Sequence, residues 1–222
     1  MSKLSMVGGS MGRVKKRALE EFLVSGSCVD IGCGRGLYGL VCETKCDSVL
    51  QVDLCDRRAD VAKQFPFEVV DANDLNFGER KFDNVVAFDV MEHLEDDVGF
   101  LQGLRKVCRG RLILSVPNAE DSQVRQLRLT HEHHCDKTHL HIYTSDGLVE
   151  LLEKCGWNIV AIKPVYNTCL FDFPVALSSG AWLARVAAKF IMLQMRIFSK
   201  LGLFENRCIA DWVCVAEPRL DG

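Results

Sequence analysis

Five short apolar runs limit what this chain can fold into. Ser27–Ile31 (SCVDI), Ser48–Leu54 (SVLQVDL), Phe67–Val70, Phe82–Phe88 (FDNVVAF) and Arg111–Val116 (RLILSV) are rich in Val, Ile, Leu or Phe, and crossover-length stretches separate them. Apolar character that is continuous rather than alternating marks strands buried on both faces of a parallel sheet. The repeated strand-then-helix order predicts a doubly wound α/β architecture. Ahead of the first run, Arg13–Val24 places Leu19, Phe22 and Leu23 at helical spacing, and the Ser/Gly/Met-rich residues 1–12 read as a flexible terminus.

Beyond Pro117-Asn118 and a His-rich stretch, Thr144-Ser145-Asp146 offers an N-cap to a helix Gly147–Lys154, which Gly156 closes. Trp157–Ile162, stopped by Pro164, reads as a sixth strand and Ala210–Ala216 as a seventh. Residues 165–209 between them form an insertion too long for a hairpin turn. With 222 residues, 48% apolar and 26% charged, the chain excludes disorder and suits a single buried core, so residues 13–222 read as one domain. A net charge of -3 gives no electrostatic case for nucleic acid. No apolar run reaches the roughly 18 residues a bilayer span needs, and no signal-peptide core opens the chain, so the expectation is a cytoplasmic protein. The 11 cysteines include no CxxC pair and read as reduced, structural thiols.

The first strand-to-helix turn reads Asp30-Ile31-Gly32-Cys33-Gly34-Arg35-Gly36-Leu37-Tyr38-Gly39. Glycines allow a tight turn and close backbone approach to a ligand. Gly34 to Gly39 satisfies a dinucleotide G-x-G-x-x-G pattern, with Asp53 downstream. Counted from Gly32, where such a loop starts, that pattern fails because position 37 is Leu, which disfavours an NAD-dependent oxidoreductase. A nucleoside without a pyrophosphate fits better: Asp53 ends strand two, Asp71-Ala72 follow strand three and Asp89 follows strand four. Each acid alone is an ordinary N-cap. All four junctions lie where open α/β sheets bind ligands.

VDIGCGRG, QVDLCD, VDANDL, FDNVVAFDVMEHLED and RLILSVPN together resemble the successive motifs of class I S-adenosylmethionine-dependent methyltransferases. The nearer likeness is to the small-molecule and lipid branch with an EHL element after strand four, which HLHIYTSDGLVELLEKCGWNIV also resembles. The resemblance implies a mostly parallel, seven-stranded Rossmann-like sheet with the last strand antiparallel. It implies S-adenosyl-L-methionine held by Asp30, Gly32, Gly34, Gly36, Asp53, Leu54, Asp71, Ala72 and Asp89, with Asp53 on the ribose, Asp71 and Ala72 on the adenine and Asp89 at the methionine end.

Methyl transfer to oxygen or nitrogen usually needs a base, and five of the six histidines fall at 131, 133, 134, 139 and 141, with His93 just past strand four. His93, His139 and His141 are the candidate catalytic residues; His131, His133 and His134 read as a solvated loop. No metal ligand is assigned. A cation on Glu92, His93 and His139 or His141 is a third reading, and that pattern resembles the small-RNA 3′-terminal 2′-O-methyltransferases, whose RNA substrate no basic surface run here supports.

Gly180–Phe204 reads as a helix with Arg185, Lys189, Arg196 and Lys200 within about 60° of one another. No acidic residue occurs from 173 to 204. A narrow basic stripe beside a wide apolar face suits a lid over an apolar acceptor, a membrane-surface contact or a homodimer face. The expected activity is O-methylation of a small or lipid-linked acceptor. The rival in a different class is a noncatalytic module that retains only the nucleoside pocket.

Overall fold

The computed structural model describes residues 12–119, 137–167, 190, 193–194 and 208–219. In chain order these form α1 (Arg13–Phe22), β1 (Ser27–Ile31), α2 (Gly39–Cys42), β2 (Ser48–Asp53), a 3₁₀ turn (Asp60–Ala62), β3 (Phe67–Val69) and β4 (Phe82–Phe88). A second 3₁₀ turn (Met91–His93), α3 (Asp97–Val107), β5 (Cys108–Pro117), α4 (Ser145–Lys154), β6 (Trp157–Asn167) and β7 (Cys208–Pro218) follow. The strands make one sheet in the order β3-β2-β1-β4-β5-β7-β6, with β7 antiparallel to both neighbours. That is the expected α/β fold.

Alternation along each central strand explains why one sheet supports two cores. Val85 and Ala87 of β4 join Val29, Ile31, Leu112 and Leu114 on the face covered by α3 and α4. Val86 and Phe88 join Cys28, Ile113, Val213 and Val215 on the face covered by α1 and α2. Both faces are dry, as the unbroken apolar runs require. Asp96 caps α3 by accepting from the Gly99 N–H at 2.7 Å, and Thr144 caps α4 by accepting from the Gly147 N–H at 3.1 Å. Buried Asn84 accepts from the Val24 N–H at 3.0 Å and donates to the Val24 carbonyl at 2.8 Å, pinning the α1–β1 junction to β4.

Two strand boundaries differ most from the sequence reading. β6 runs through Pro164 to Asn167, where Pro164 was expected to stop it, because β6 lies at the sheet edge and a missing N–H there breaks no ladder. β5 starts at Cys108, three residues early, directly off the end of α3, and its register against β4 shifts between Phe82 and Asn84. The insertion between β6 and β7 is correspondingly shorter than 165–209. Its expected helix falls outside the described residues except for Phe190, Leu193 and Gln194, which are helical. The flexible terminus (except Gly12) and the loop carrying His131, His133 and His134 also lie outside them. Among the described residues no helix is long and apolar enough to cross a membrane. Cys28, Cys33, Cys42, Cys46, Cys108, Cys155 and Cys214 are buried free thiols, and Cys55 is an exposed one.

Trp157, at the start of β6, has no exposed surface and donates its indole N–H to the Leu101 carbonyl of α3 at 3.2 Å, closing the sheet against that helix. Trp157→Phe keeps most of the ring but removes that hydrogen bond, so urea unfolding should show a loss of about 0.5–1.5 kcal/mol.

Candidate functional site

The carboxyl ends of β1, β2, β4 and β5 open to one side, and the loops that leave them build the site. Gly32, Gly34 and Gly36 all take positive φ (65°, 52° and 70°). Their surroundings differ. A Cβ on Gly32 would lie 2.4 Å from Val90 Cγ2, and one on Gly36 2.7 Å from Gln51 Oε1 and 2.8 Å from the Ala62 Cβ. A Cβ on Gly34 would meet nothing within 4 Å. Gly32 and Gly36 are therefore packing glycines, whereas Gly34 faces open space.

Asp53 sets the loop's shape. Its carboxylate accepts from the Gly34 N–H at 2.8 Å and from its neighbour Leu54's N–H at 2.7 Å, and it is only 7% exposed. Beneath the loop, buried Gln51 donates to the Gly36 carbonyl at 2.8 Å and to Asp30 at 3.3 Å. Asp30 is 2% exposed, so it underlies the loop rather than lining the opening. Burial pushes its carboxyl up to about 7, against the pull of the Gln51 hydrogen bond and with a smaller push from Asp53. Leu54 is exposed, Ala72 is half-buried, and exposed Asp71 folds its carboxylate back onto the N–H and side-chain amide of Asn73.

Asp89, just past β4, is the only described non-glycine residue with positive φ (55°). The Ser115 hydroxyl donates to it at 2.7 Å, its own N–H donates to the Ser115 carbonyl at 3.1 Å, and its other carboxylate oxygen pairs with Lys15 of α1. Strained backbone held by several contacts is typical of functional turns. Lys15 is buried and also lies 3.8 Å from Asp211 of β7. Burial alone lowers an ammonium's pKa, but Asp89 and Asp211 together outweigh it and hold Lys15 above its ordinary value.

Three residues past Asp89 comes the second half of the site. Glu92 is fully buried, and neither of its carboxylate oxygens has a hydrogen-bond partner. Burial pushes its carboxyl up to about 8, and Asp89, Lys15 and Asp211 are near enough to bear on it. The Glu92 carbonyl accepts from the N–H groups of Leu140 (2.8 Å) and His141 (3.3 Å), which ties the segment before α4 to the Met91–His93 turn. The rings of His93 and His139 consequently meet edge to face at 4.7 Å. His93 Nδ1 lies against Thr138, 3.2 Å from its carbonyl and 3.0 Å from its hydroxyl. His141 Nδ1 is 3.8 Å from Asp97, which also accepts from the Tyr143 hydroxyl, and its buried Nε2 has no partner. The structure thus brings the rings of His93 and His139 together, while the His141 ring lies against Asp97 and Tyr143.

Lys15, Ser115, Asp97 and Asp211 escaped the sequence reading. Lys15 sits in a basic helical start that looks solvated, and only the folded α1 turns it inward. Gln51 left a signal, since an amide inside an apolar strand needs a buried partner.

A family model described as a methyltransferase domain matches residues 7–162. The chain belongs to that family. It is an S-adenosylmethionine-dependent methyltransferase. No curated protein matches the sequence. Among solved structures, it resembles the Burkholderia thailandensis 1,6-didemethyltoxoflavin-N1-methyltransferase, solved with its substrate and S-adenosylhomocysteine, at 17% identity and TM-score 0.60 over 93% of this chain and 77% of that one. An S-adenosylmethionine-dependent methyltransferase from Mesorhizobium loti gives 15%, 0.58, and 94% and 98%. The [4+2]-cyclase SpnF gives 18%, 0.62, and 94% and 81%. At these identities the likeness concerns the fold of the methyltransferase, not its acceptor.

Asp30 gives a pH signature. Its ordinary pKa is near 3.8 and its folded value about 7, so the folded state resists ionisation that the unfolded chain allows. Stability is full below the lower value and declines as pH rises to the higher. Asp30→Asn cannot ionise, so its urea midpoint should gain on the wild type's between about pH 4 and 7 and hold level above that. A gap that does not change with pH would contradict the buried-acid assignment.

Proposed function

We propose that this methyltransferase moves the methyl group of S-adenosylmethionine to an oxygen of a small or lipid-linked acceptor. The observation that carries the reading is the juxtaposition at the sheet's carboxyl end: a glycine cradle with Asp53 on one side, and beyond Asp89 the paired imidazoles of His93 and His139. A sulfonium donor needs a cradle that admits bulk and an acid that meets the ribose hydroxyls. Gly34 supplies the room. Asp53 supplies the acid, held in place by two main-chain donors with the Arg57 guanidinium 3.4 Å away. Asp71 and Ala72 flank the adenine, and Asp89 meets the ammonium of the methionine portion, where it presently holds that of Lys15.

Transfer itself is an in-line displacement. The acceptor oxygen forms a bond to the methyl carbon as the carbon–sulfur bond breaks, leaving a neutral thioether, and the acceptor's proton departs. Alignment and relief of charge supply most of the acceleration. His93, His139 and His141 serve the proton's departure, which is the part of the reaction that oxygen demands and a simple thiolate or carbanion acceptor would not.

The stripe at Arg185, Lys189, Arg196 and Lys200 supports an apolar acceptor carrying an anionic group. So do the exposed Phe190 and Leu193, 61% and 55% accessible. Both features would meet an amphiphile better than a sugar or a nucleotide.

Two measurements test this. Gly34→Ala places a Cβ in open space at a strained φ, so it should cost at most about 1–2 kcal/mol of stability. In calorimetry it should nonetheless weaken S-adenosylhomocysteine at least about tenfold, roughly 1.4 kcal/mol. Gly32→Ala, which collides with Val90, should show the reverse order: a large loss of stability first. Separately, methyl-labelled cofactor incubated with cell-extract fractions should put label into an O-methyl product in the organic phase. Label confined to N-methyl or C-methyl products would overturn the oxygen assignment, and label confined to the aqueous phase the lipid one.

A further inference from the structure

We propose that Glu92, His93 and His139 form a binding site for one divalent transition-metal cation at the acceptor end of the cleft. One ligand atom from each of the three lies within 4.8 Å of the others. Proximity alone would be unremarkable among surface groups, but Glu92 has no solvent-exposed surface, and both its oxygens lack any donor. A buried carboxyl group without a partner is costly, and a native structure that keeps one has some use for it. Lys15, the buried ammonium nearby, is already committed to Asp89 and Asp211. A cation bound by the two adjacent imidazoles would supply the missing positive charge.

The histidines are arranged for that role. With Nδ1–H donated to the Thr138 carbonyl, His93 carries its lone pair on Nε2, the orienting device usual for ligating imidazoles. His139 meets His93 edge to face, and the two main-chain bonds into the Glu92 carbonyl fix the segment that brings it there. Ligand atoms around one such ion lie within about 4.2 Å of each other, twice a bond of about 2.1 Å. A small rotation of the exposed His93 side chain covers the difference. Two imidazole nitrogens and one carboxylate oxygen favour Zn2+, Co2+, Mn2+ or Fe2+ over Mg2+ or Ca2+. Three protein ligands leave coordination open to an outside molecule.

What that opening serves rests on the methyl-transfer reading. An acceptor hydroxyl bound to the cation would lose its proton to water near neutral pH, and its oxygen would then take the methyl group as the carbon–sulfur bond breaks. The histidines would then promote the proton's departure by holding the cation.

The test uses the whole protein, stripped with a chelator, without cofactor or acceptor. Co2+ titration followed by visible absorption, and Zn2+ titration by calorimetry, should each show one equivalent bound. Glu92→Gln and His139→Ala should each weaken binding at least tenfold while S-adenosylhomocysteine still binds. If Glu92→Gln does not fold, exposed His93→Ala takes its place. Replacing His131, His133 and His134 together by alanine should leave binding intact. No binding below millimolar metal would overturn the proposal, as would loss of binding only in the triple replacement. Protein that takes up no metal yet binds S-adenosylhomocysteine and yields O-methyl product would remove the cation and spare the oxygen reading. Stoichiometric metal binding without O-methyl product would spare the cation and remove the oxygen reading.

Discussion

The shape of the glycine loop after β1 depends on one carboxylate. Asp53 accepts the N–H of Gly34 from across the neighbouring strand, and the loop after β1 folds around that bond. The alternate glycines 32, 34 and 36, all at positive φ, would wander without it, since glycine gains little from any single conformation. Gln51, two residues earlier on the same strand, repeats the arrangement from below by holding the Gly36 carbonyl. β2 therefore positions a loop that belongs to β1, and the parallel register between Ile31 and Val52 is what aligns them. The same bonds leave Asp30 beneath the loop, where it must share one amide with Gly36 and pays for its burial with a raised pKa.

A second constraint couples the amino-terminal helix to the far strands. Lys15 reaches from α1 to Asp89 after β4 and to Asp211 on β7, so one ammonium joins three elements distant in sequence. A lone buried lysine would be driven towards neutrality; two carboxylates reverse that. Asp89 can then keep its unfavourable backbone, because Ser115 holds it from one side and Lys15 from the other. Charge held this way is replaceable. An incoming ammonium of similar size could take the place of Lys15 on Asp89 without leaving the acid unpaired.

How much of this was legible beforehand follows from which forces were local. The strands were legible because burial on both faces imposes a continuous apolar run, and β1 and β4 fall on the residues their runs marked. The glycine loop was legible because positive φ leaves few choices of residue. The Pro164 boundary failed for a reason outside the local sequence: whether a proline stops a strand depends on which side has a partner, and strand order decides that. Lys15 was illegible for the same kind of reason. Its inward turn reflects acids 74 and 196 residues away, and nothing within the Arg13–Phe22 helix distinguishes it from Lys16, which pairs with Glu20 on the surface. Glu92 and His93 were visible as a pair, but that the carboxylate would be buried without a donor was not.

The two halves of the cleft are built by different means, and this bears on how such a fold changes its chemistry. The cradle is made of main-chain groups oriented by Asp53 and Gln51, so most substitutions there disturb the loop itself. The other half is made of side chains on two short segments, Met91–His93 and residues 137–143, joined through the Glu92 carbonyl. Because that joint uses only main-chain atoms, it persists when the side chains change. Imidazoles and carboxylates there can therefore be exchanged for other groups without moving the glycine loop. In the proposed reading, a fold built this way keeps its donor while the side chains at Glu92, His93, His139 and His141 vary with the acceptor.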